Sequence, residues 1–139
     1  MTDTILVVDD TPDVAHLTAS CLVSRGYDAL IATNGEQALQ LAAATKPSCI
    51  LLDVRMGQTN GIEVMKQLRE NPATSGIPII LVTANARQED MLSGYKEGAD
   101  YYITKPFSAA QLIYGIRLVL GRLEENPPAH GAPGSGAAP

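Results

Sequence analysis

Cys49-Ile50-Leu51-Leu52-Asp53 is a run of four apolar residues that ends in a carboxylate, and it decides the fold. A continuous apolar run of this length predicts a strand that is buried on both faces, as in a parallel sheet. Two similar runs end in charged residues: Ile5-Leu6-Val7-Val8 precedes Asp9-Asp10, and Tyr101-Tyr102-Ile103-Thr104 precedes Lys105-Pro106. If all three are parallel strands of one sheet, three carboxylates and one ammonium meet at one edge.

Such a cluster of acids is unfavourable unless it binds a cation. Two carboxylates about 4 Å apart repel each other by roughly 4 kcal/mol at an effective dielectric constant of ~20. Hard oxygen ligands favour Mg2+ when phosphate is also present. The strand ends therefore predict a site for a metal and a phosphoryl group. Taken alone, Asp9-Asp10 also fits an ordinary acidic pair at a helix start, but its place beside Asp53 favours the site.

Length and composition indicate a cytoplasmic protein. The 139 residues predict one domain over residues 1–124. The first residues lack the basic start and apolar stretch of a signal peptide, and no apolar run approaches the length of a membrane span. The net charge of −5, with scattered lysines and arginines, argues against direct contact with nucleic acid. Without a long apolar run, we also expect no membrane partner. Cys21 and Cys49 have no metal-binding spacing, so we interpret them as structural.

Strand-like and helix-like segments alternate five times along the chain. Short connections between them predict an α/β fold of the doubly wound (βα)5 type, with one parallel five-stranded sheet. The second and fifth strands are mixed in character, which suits sheet edges and the flavodoxin-like order 2-1-3-4-5. The predicted strands are Ile5–Val8, Ala29–Ala32, Cys49–Leu52, Ile79–Val82 and Tyr101–Thr104.

Capping residues predict where the helices begin. Polar residues and glycines of the kind that start helices mark four of the five, and the fourth helix, Gln88 to Glu97, is predicted from its helical spacing and from Gly98 after it. The five helices are expected to begin at Thr11-Pro12-Asp13, Asn34-Gly35, Asn60-Gly61, Gln88 and Ser108, the last running towards Glu124. Residues 125–139 are rich in Pro, Gly and Ala and predict a disordered tail or linker. In this strand order, ligands bind between the ends of the first and third strands.

These residues resemble the receiver domain of two-component response regulators. The resemblance spans residues 4 to 124. It rests on four motifs that follow the first, third, fourth and fifth strands in order, and together they are highly specific. They are Asp9-Asp10, Asp53, Thr83-Ala84 and Lys105-Pro106-Phe107.

The resemblance implies a role for each charged residue. Asp53 is expected to be the phosphoacceptor for a phosphohistidine on a sensor histidine kinase or a phosphotransfer protein. Asp10 would bind Mg2+ directly and Asp9 directly or through water, and Asp53 with the backbone carbonyl of Arg55 would complete the protein ligands. Lys105 would pair with a phosphoryl oxygen. Because phosphoryl transfer mainly requires positioning and charge stabilisation, no histidine base is needed.

The resemblance also implies a switch. The Thr83 hydroxyl and the Ala84 amide would hold other phosphoryl oxygens, and Tyr102 occupies the aromatic position that turns inward after phosphorylation. Thr83 and Tyr102 would report the new charge to the surface formed by the fourth helix, fifth strand and fifth helix. That surface is where a downstream effector protein or domain, or a second copy in a homodimer, would bind. Alone, Tyr102 also fits a half-buried aromatic of an edge strand, and Thr83 a strand-end hydroxyl.

One loop departs from the family pattern. Many receivers have Met-Pro-Gly-Met-Asp-Gly after the phosphoacceptor, whereas this chain has Met56-Gly57-Gln58-Thr59-Asn60-Gly61. The lost proline makes a more mobile loop the expectation. Arg55 and Asn85 occupy positions that border the path of attacking water in receivers and tune the lifetime of the phosphate. For Arg55, a shielding role and a plain solvated arginine remain open. The resemblance further implies a cis Lys105-Pro106 peptide.

Three function classes compete. The leading hypothesis is a switch that catalyses its own phosphorylation and slow autodephosphorylation and is otherwise not an enzyme. A Mg2+-dependent aspartyl-phosphate phosphohydrolase is disfavoured because Asp53 has no second acid two residues later. A pseudo-receiver interaction module is disfavoured because every expected chemical group is present. No phosphate-binding P-loop sequence occurs. The kinase and the output stay open, and so does whether the chain is a single-domain regulator or a fragment.

Overall fold

Five parallel strands form one sheet in the computed structural model, which describes residues 2–56, 59–84 and 98–122. Its spatial order is β2-β1-β3-β6-β7. Without the two-residue strands β4 and β5, which pair separately, this is the predicted order 2-1-3-4-5, so the α/β fold prediction is confirmed. The strands in chain order are β1 (Thr4–Val8), β2 (Asp28–Ala32), β3 (Cys49–Asp53), β4 (Arg55–Met56), β5 (Thr59–Asn60), β6 (Ile79–Thr83) and β7 (Tyr101–Thr104).

The described helices begin where their capping residues predict. They are α1 (Pro12–Ser24), α2 (Gly35–Thr45), α3 (Gly61–Glu70) and α4 (Ala109–Val119). The Asn34 side chain accepts a 2.8 Å hydrogen bond from the Gln37 amide, and Ser108 forms a reciprocal capping box with Gln111. The helix predicted from Gln88 lies outside the described residues. The last predicted helix is therefore labelled α4.

Helix α4 ends earlier than the sequence pattern predicts. It stops at Val119 instead of continuing towards Glu124. Gly121 has a φ of +70°, a left-handed conformation that glycine adopts without the steric penalty of a Cβ. The apolar period of the sequence continues past this glycine, which is why the pattern alone overestimates the helix.

Helices cover both faces of the sheet, so each central strand is buried on both sides. Along β1, Ile5 and Val7 pack in one cluster with residues of α1 and α4, while Leu6 and Val8 pack in the other with residues of α2 and α3. This arrangement explains why β1, β3 and β6 are uninterrupted apolar runs. Within the described ranges, no helix has both the length and the apolar character of a membrane span.

The two cysteines lie in or against the core on the α1 and α4 side of the sheet. Cys49 is fully buried and Cys21 is partly buried against the same cluster. Burial and, to a smaller extent, the Asp100 carboxylate together raise the pKa of the Cys49 thiol to about 12. The Cys49 thiol therefore stays protonated at neutral pH and behaves as a small apolar group.

A short hairpin follows β3 and was not predicted. Strands β4 and β5 pair antiparallel, with Arg55 opposite Asn60 and Met56 opposite Thr59. Met56 is buried in the core on the α2 and α3 side. Gly57 and Gln58, where the loop departs from the family pattern, lie outside the described residues. The hairpin joins the end of β3 to the start of α3.

Candidate functional site

Three carboxylates meet beyond the carboxyl ends of β1 and β3. Oxygen atoms of Asp9, Asp10 and Asp53 all lie within 4.8 Å of one another. Lys105, which follows β7, places its Nζ 3.3 Å from Asp9 Oδ2 and 3.2 Å from Asp53 Oδ2. Because β1 and β3 are neighbours in register, with Val8 opposite Leu52, their following acids are adjacent. The topology therefore assembles the cluster from distant parts of the chain.

Asp53 is held at the end of the central strand. It is 7% exposed, and its backbone lies in register with Val82 of β6. The Arg55 amide donates a 3.1 Å hydrogen bond to Asp53 Oδ1, while Lys105 contacts Oδ2. Both oxygens of the carboxylate thus have a donor, and these donors fix its orientation.

Asp9 and Asp10 differ in exposure. Asp9 is 6% exposed, and its Oδ1 accepts a 3.0 Å hydrogen bond from the Thr11 amide. Its own amide donates to the Ala32 carbonyl of β2 at 3.0 Å. Asp10 is exposed. The cluster therefore has two buried carboxylates and one that faces solvent.

The electrostatics of the cluster favour an additional cation. Burial raises the pKa of the Asp53 carboxyl, and the Asp9 carboxylate also raises it, whereas the Arg55 amide and Lys105 lower it. Burial lowers the pKa of the Lys105 ammonium, but the Asp53 and Asp9 carboxylates outweigh that effect and leave it raised. Even with the Lys105 ammonium present, the ionised form of Asp53 is therefore less favourable than that of a free aspartate. The clustered donor atoms are all carboxylate oxygens, which suit Mg2+ and not a soft metal.

The other residues predicted for phosphoryl binding lie at the ends of β6 and β7. Thr83 ends β6 and is buried, and its carbonyl accepts a 2.7 Å hydrogen bond from the Lys105 amide. Ala84 follows it and is exposed. The Lys105-Pro106 peptide is cis, as the resemblance implies. Lys105 thus contacts the β6 end through its backbone and the acids through its side chain.

The predicted switch and tuning residues are placed in part. Tyr102 is 8% exposed and packs in the core with residues of α2 and α3, so it is more buried than an edge-strand aromatic that lies half in solvent. The Arg55 side chain, on β4, is exposed. Asn85 and the predicted fourth helix fall outside the described residues. On α4, which is part of the surface predicted to bind a partner, Tyr114 is half-buried and Leu118 is 38% exposed.

Sequence reasoning missed the backbone groups that orient the acids. The amides of Thr11 and Arg55 each donate to the carboxylate two residues earlier, the local bond that aspartates form in Asx turns. The sequence signal was an aspartate at the strand end followed by a turn. A tight approach of Gly61 to the Asp53 peptide was also missed. An adjoining small cavity, lined partly by Val14, Thr18 and Phe107, likewise went unpredicted.

Known proteins share both the sequence pattern and the fold. Residues 5–117 match the response regulator receiver domain family. The phosphate regulon transcriptional regulatory protein PhoB of Pseudomonas aeruginosa is 40% identical over 119 residues, which are 86% of this chain and 52% of that protein. The DNA-binding response regulator MtrA of Mycolicibacterium smegmatis is 38% identical over 127 residues, which are 91% of this chain and 54% of that protein.

A solved structure matches over most of the chain. The receiver domain of the sensor histidine kinase PA1611 from Pseudomonas aeruginosa, determined with a magnesium ion in its active site cleft, is 30% identical. The alignment has a TM-score of 0.80 and covers 87% of this chain and 99% of that one. The chain spans about half the length of the curated relatives it matches. On sequence, fold and family match together, the chain belongs to the response regulator receiver domain family.

Proposed function

We propose that the chain is a phosphorelay receiver that accepts a phosphoryl group on Asp53. The observation that carries the proposal is the convergence of Asp9, Asp10, Asp53 and Lys105 at one sheet edge. A structural ion pair would need one acid for one base, whereas here three carboxylates cluster and one ammonium contacts two of them. The surplus negative charge is useful only if a cation and a phosphoryl group complete the site.

The transfer step follows from the position of Asp53. One carboxylate oxygen attacks the phosphorus of a phosphohistidine on a sensor histidine kinase or a phosphotransfer protein. The new oxygen–phosphorus bond gives an acyl phosphate, and as the nitrogen–phosphorus bond breaks its electron pair returns to the imidazole. Lys105, the Thr83 hydroxyl and the Ala84 amide hold the phosphoryl oxygens. These groups supply the positioning and charge stabilisation that phosphoryl transfer needs.

The metal ligands are the three acids and one backbone group. Asp9, Asp10, Asp53 and the Arg55 carbonyl would hold Mg2+, which would neutralise charge on the carboxylates and on the phosphoryl group. The Arg55 amide already orients Asp53 Oδ1, so the backbone of one residue would serve both roles through two neighbouring peptide groups. The solved magnesium-bound receiver of similar fold supports this choice of metal.

Phosphorylation would signal by changing one surface of the domain. Phosphorylation would act through Thr83 and Tyr102 on the surface formed by the fourth predicted helix, β7 and α4. This surface would bind an effector protein or domain, or pair two copies of the chain. The names of two relatives, a transcriptional regulatory protein and a DNA-binding response regulator, support an effector domain that acts on DNA. The net charge of −5 favours a protein partner over direct contact with nucleic acid.

The lifetime of the phosphate sets how long the switch stays on. The chain would catalyse its own phosphorylation and a slow autodephosphorylation, acting on no separate substrate. Arg55 and Asn85 would tune the lifetime because they border the path of water to the phosphorus. Such a switch would work in the cytoplasm, where it meets its kinase.

The test is intact-protein mass after incubation with acetyl phosphate, with and without Mg2+. We expect wild type to gain one phosphoryl group only with Mg2+, and Asp53→Asn to gain none. Asp28→Asn is the matched control, because Asp28 is exposed at the opposite end of the sheet. Wild type that gains no mass and does not bind beryllofluoride would identify a pseudo-receiver and overturn the proposal.

A further inference from the structure

Gly61, the first residue of α3, lies against the backbone of Asp53. An ideal Cβ built on Gly61 would stand 2.1 Å from the Asp53 carbonyl oxygen and 2.9 Å from both the Asp53 carbonyl carbon and Val54 Cα. All three neighbours are backbone atoms, so no change of side-chain rotamer relieves the overlap. The Gly61 amide also donates a 2.7 Å hydrogen bond to the Val54 carbonyl. The helix start and the strand end are therefore in direct contact.

The strand side of this contact has little freedom to move. β3 lies between β1 and β6, and the Val54 amide donates to the Val82 carbonyl at 2.9 Å. On the helix side, the Asn60 side chain caps α3 by accepting from the Ile62 amide at 2.8 Å. Strain at Gly61 therefore falls on Val54 and Arg55, which directly follow Asp53. The Arg55 amide orients Asp53 Oδ1.

We propose that Gly61 is a positioning residue of the phosphotransfer site. Because Gly61 lacks a Cβ, the first turn of α3 packs directly on the Asp53 peptide and fixes the Arg55 amide that aims the Asp53 carboxylate. The inference rests on the proposed function of Asp53. Since Cβ contacts shorter than 3.0 Å are essentially absent from proteins, an added methyl group would separate these atoms by roughly 1 Å, enough to slow a reaction by about 100-fold.

Three glycine variants separate positioning from stability. Gly61→Ala adds a methyl group against Asp53, whereas Gly76→Ala adds one where nothing lies within 4 Å. Gly115→Ala adds one 3.0 Å from the Tyr101 ring, in the contact between α4 and β7, and tests general strain. Each variant is treated with acetyl phosphate at saturating Mg2+, and the initial rate of phosphorylation is measured by intact mass beside a thermal melt.

The Arg55 amide proton resonance, read by NMR without phosphodonor, is the second measurement. We expect Gly61→Ala to lower the rate by about 100-fold and to move this resonance away from its hydrogen-bonded position. Gly76→Ala should match wild type in both. Gly115→Ala should change only the melting temperature. A merely structural role for Gly61 would move the melting temperature and leave the Arg55 resonance of the folded protein unchanged.

Asn60→Ala keeps the test decisive if Gly61→Ala does not fold. It removes the cap that locates Gly61 without adding an atom at Asp53, so it should shift the Arg55 resonance and slow phosphorylation to a smaller degree. If Gly61→Ala folds and shows the wild-type rate and Arg55 resonance, the inference is overturned. If Gly61→Ala does not fold, the same result in Asn60→Ala overturns it. If wild type itself gains no phosphoryl group, the proposed function fails and the Arg55 resonance alone decides the role of Gly61.

Discussion

Lys105 links two of the three acids of the site. Its ammonium bridges Asp9 Oδ2 and Asp53 Oδ2, and its side chain is 29% exposed. The same two carboxylates are proposed ligands of Mg2+. Lys105 therefore partly neutralises the acids before the metal arrives and repels the metal as it binds. Two charges about 4 Å apart interact by roughly 4 kcal/mol at an effective dielectric constant of ~20, so this repulsion is large enough to measure.

Replacing Lys105 with methionine should have opposite effects on metal binding and on phosphorylation. Without the ammonium, Mg2+ should bind at least about tenfold more tightly, a gain of about 1.4 kcal/mol. Phosphorylation by acetyl phosphate should slow, because Lys105 no longer stabilises the phosphoryl oxygens. Isothermal titration calorimetry with MgCl2 measures the first effect and intact mass the second.

Lys66→Met is the matched control for Lys105→Met. Lys66 lies on α3, where its only described ion pair, with Glu63 at 3.9 Å, joins two well-exposed side chains. Removing it should leave Mg2+ affinity and phosphorylation unchanged, since exposed pairs of this kind contribute little. Weaker Mg2+ binding by Lys105→Met would contradict the account, because it would show that Lys105 organises the acids for the metal.

At the scale of elements, Arg69 ties α3 to the loops at the amino ends of β6 and β7. Its Nη1 donates to the Ser75 carbonyl at 2.9 Å and to the Ile77 carbonyl at 2.7 Å. Its Nε and Nη2 both donate to the Gly98 carbonyl, at 3.0 and 2.7 Å. Only a guanidinium offers this planar set of donors. Arg69 thus fixes the starts of β6 and β7, two strands whose opposite ends lead to the site.

Asp100 completes this arrangement. Its Oδ2 accepts from Arg69 Nη2 at 2.7 Å and from the Ile79 amide at 2.8 Å. Arg69→Met should therefore lower the free energy of unfolding by about 2–3 kcal/mol, because it leaves two part-buried carbonyls, those of Ile77 and Gly98, without this donor. Urea denaturation measures the change. Arg25→Met, at the exposed end of α1, is the control, and an Arg69→Met loss below about 0.5 kcal/mol, the range of ordinary surface changes, would contradict the assignment.

Local chemistry explains which elements the sequence predicts well. The strands are placed within one residue because continuous apolar runs mark their ends, as at Asp53. Asn34 and Ser108 were identified as helix starts because capping depends on neighbours three residues away. The hairpin of β4 and β5 was missed because two-residue strands have no period. The Arg69 contacts and the Gly61 overlap depend on distances between elements, which no local pattern contains.

The candidate site, like the fold, was predicted from the sequence only in part. The convergence of Asp9, Asp10 and Asp53 follows from topology, because parallel strands end at a common edge. The order of the strands, and hence the neighbours of Asp53, was recoverable from the mixed character of the two edge strands. The backbone amides that orient Asp9 and Asp53 could not be predicted from the sequence. A hydrogen bond of about 3 Å depends on turn geometry, which residue identity alone does not specify.

For the molecule as a whole, the proposed switch needs enough interaction energy to shift a population. Moving a two-state equilibrium from 1:99 to 99:1 needs about 5.5 kcal/mol of differential interaction. Hydrogen bonds to charged groups contribute about 1.5–3 kcal/mol each. Two or three new bonds from Lys105, Thr83 and Ala84 to a phosphoryl group therefore suffice. No larger rearrangement of the core is required to drive the change.

The proposed function depends on Asp53 being the phosphorylated residue, and chemical trapping of the acyl phosphate tests that directly. The protein is phosphorylated with acetyl phosphate and Mg2+, reduced with borohydride, digested and sequenced by mass spectrometry. Reduction converts an aspartyl phosphate to homoserine and leaves free carboxylates intact. The account predicts homoserine at position 53 and nowhere else. Homoserine at Asp9 or Asp10, or a phosphorylated protein that yields none, would contradict it.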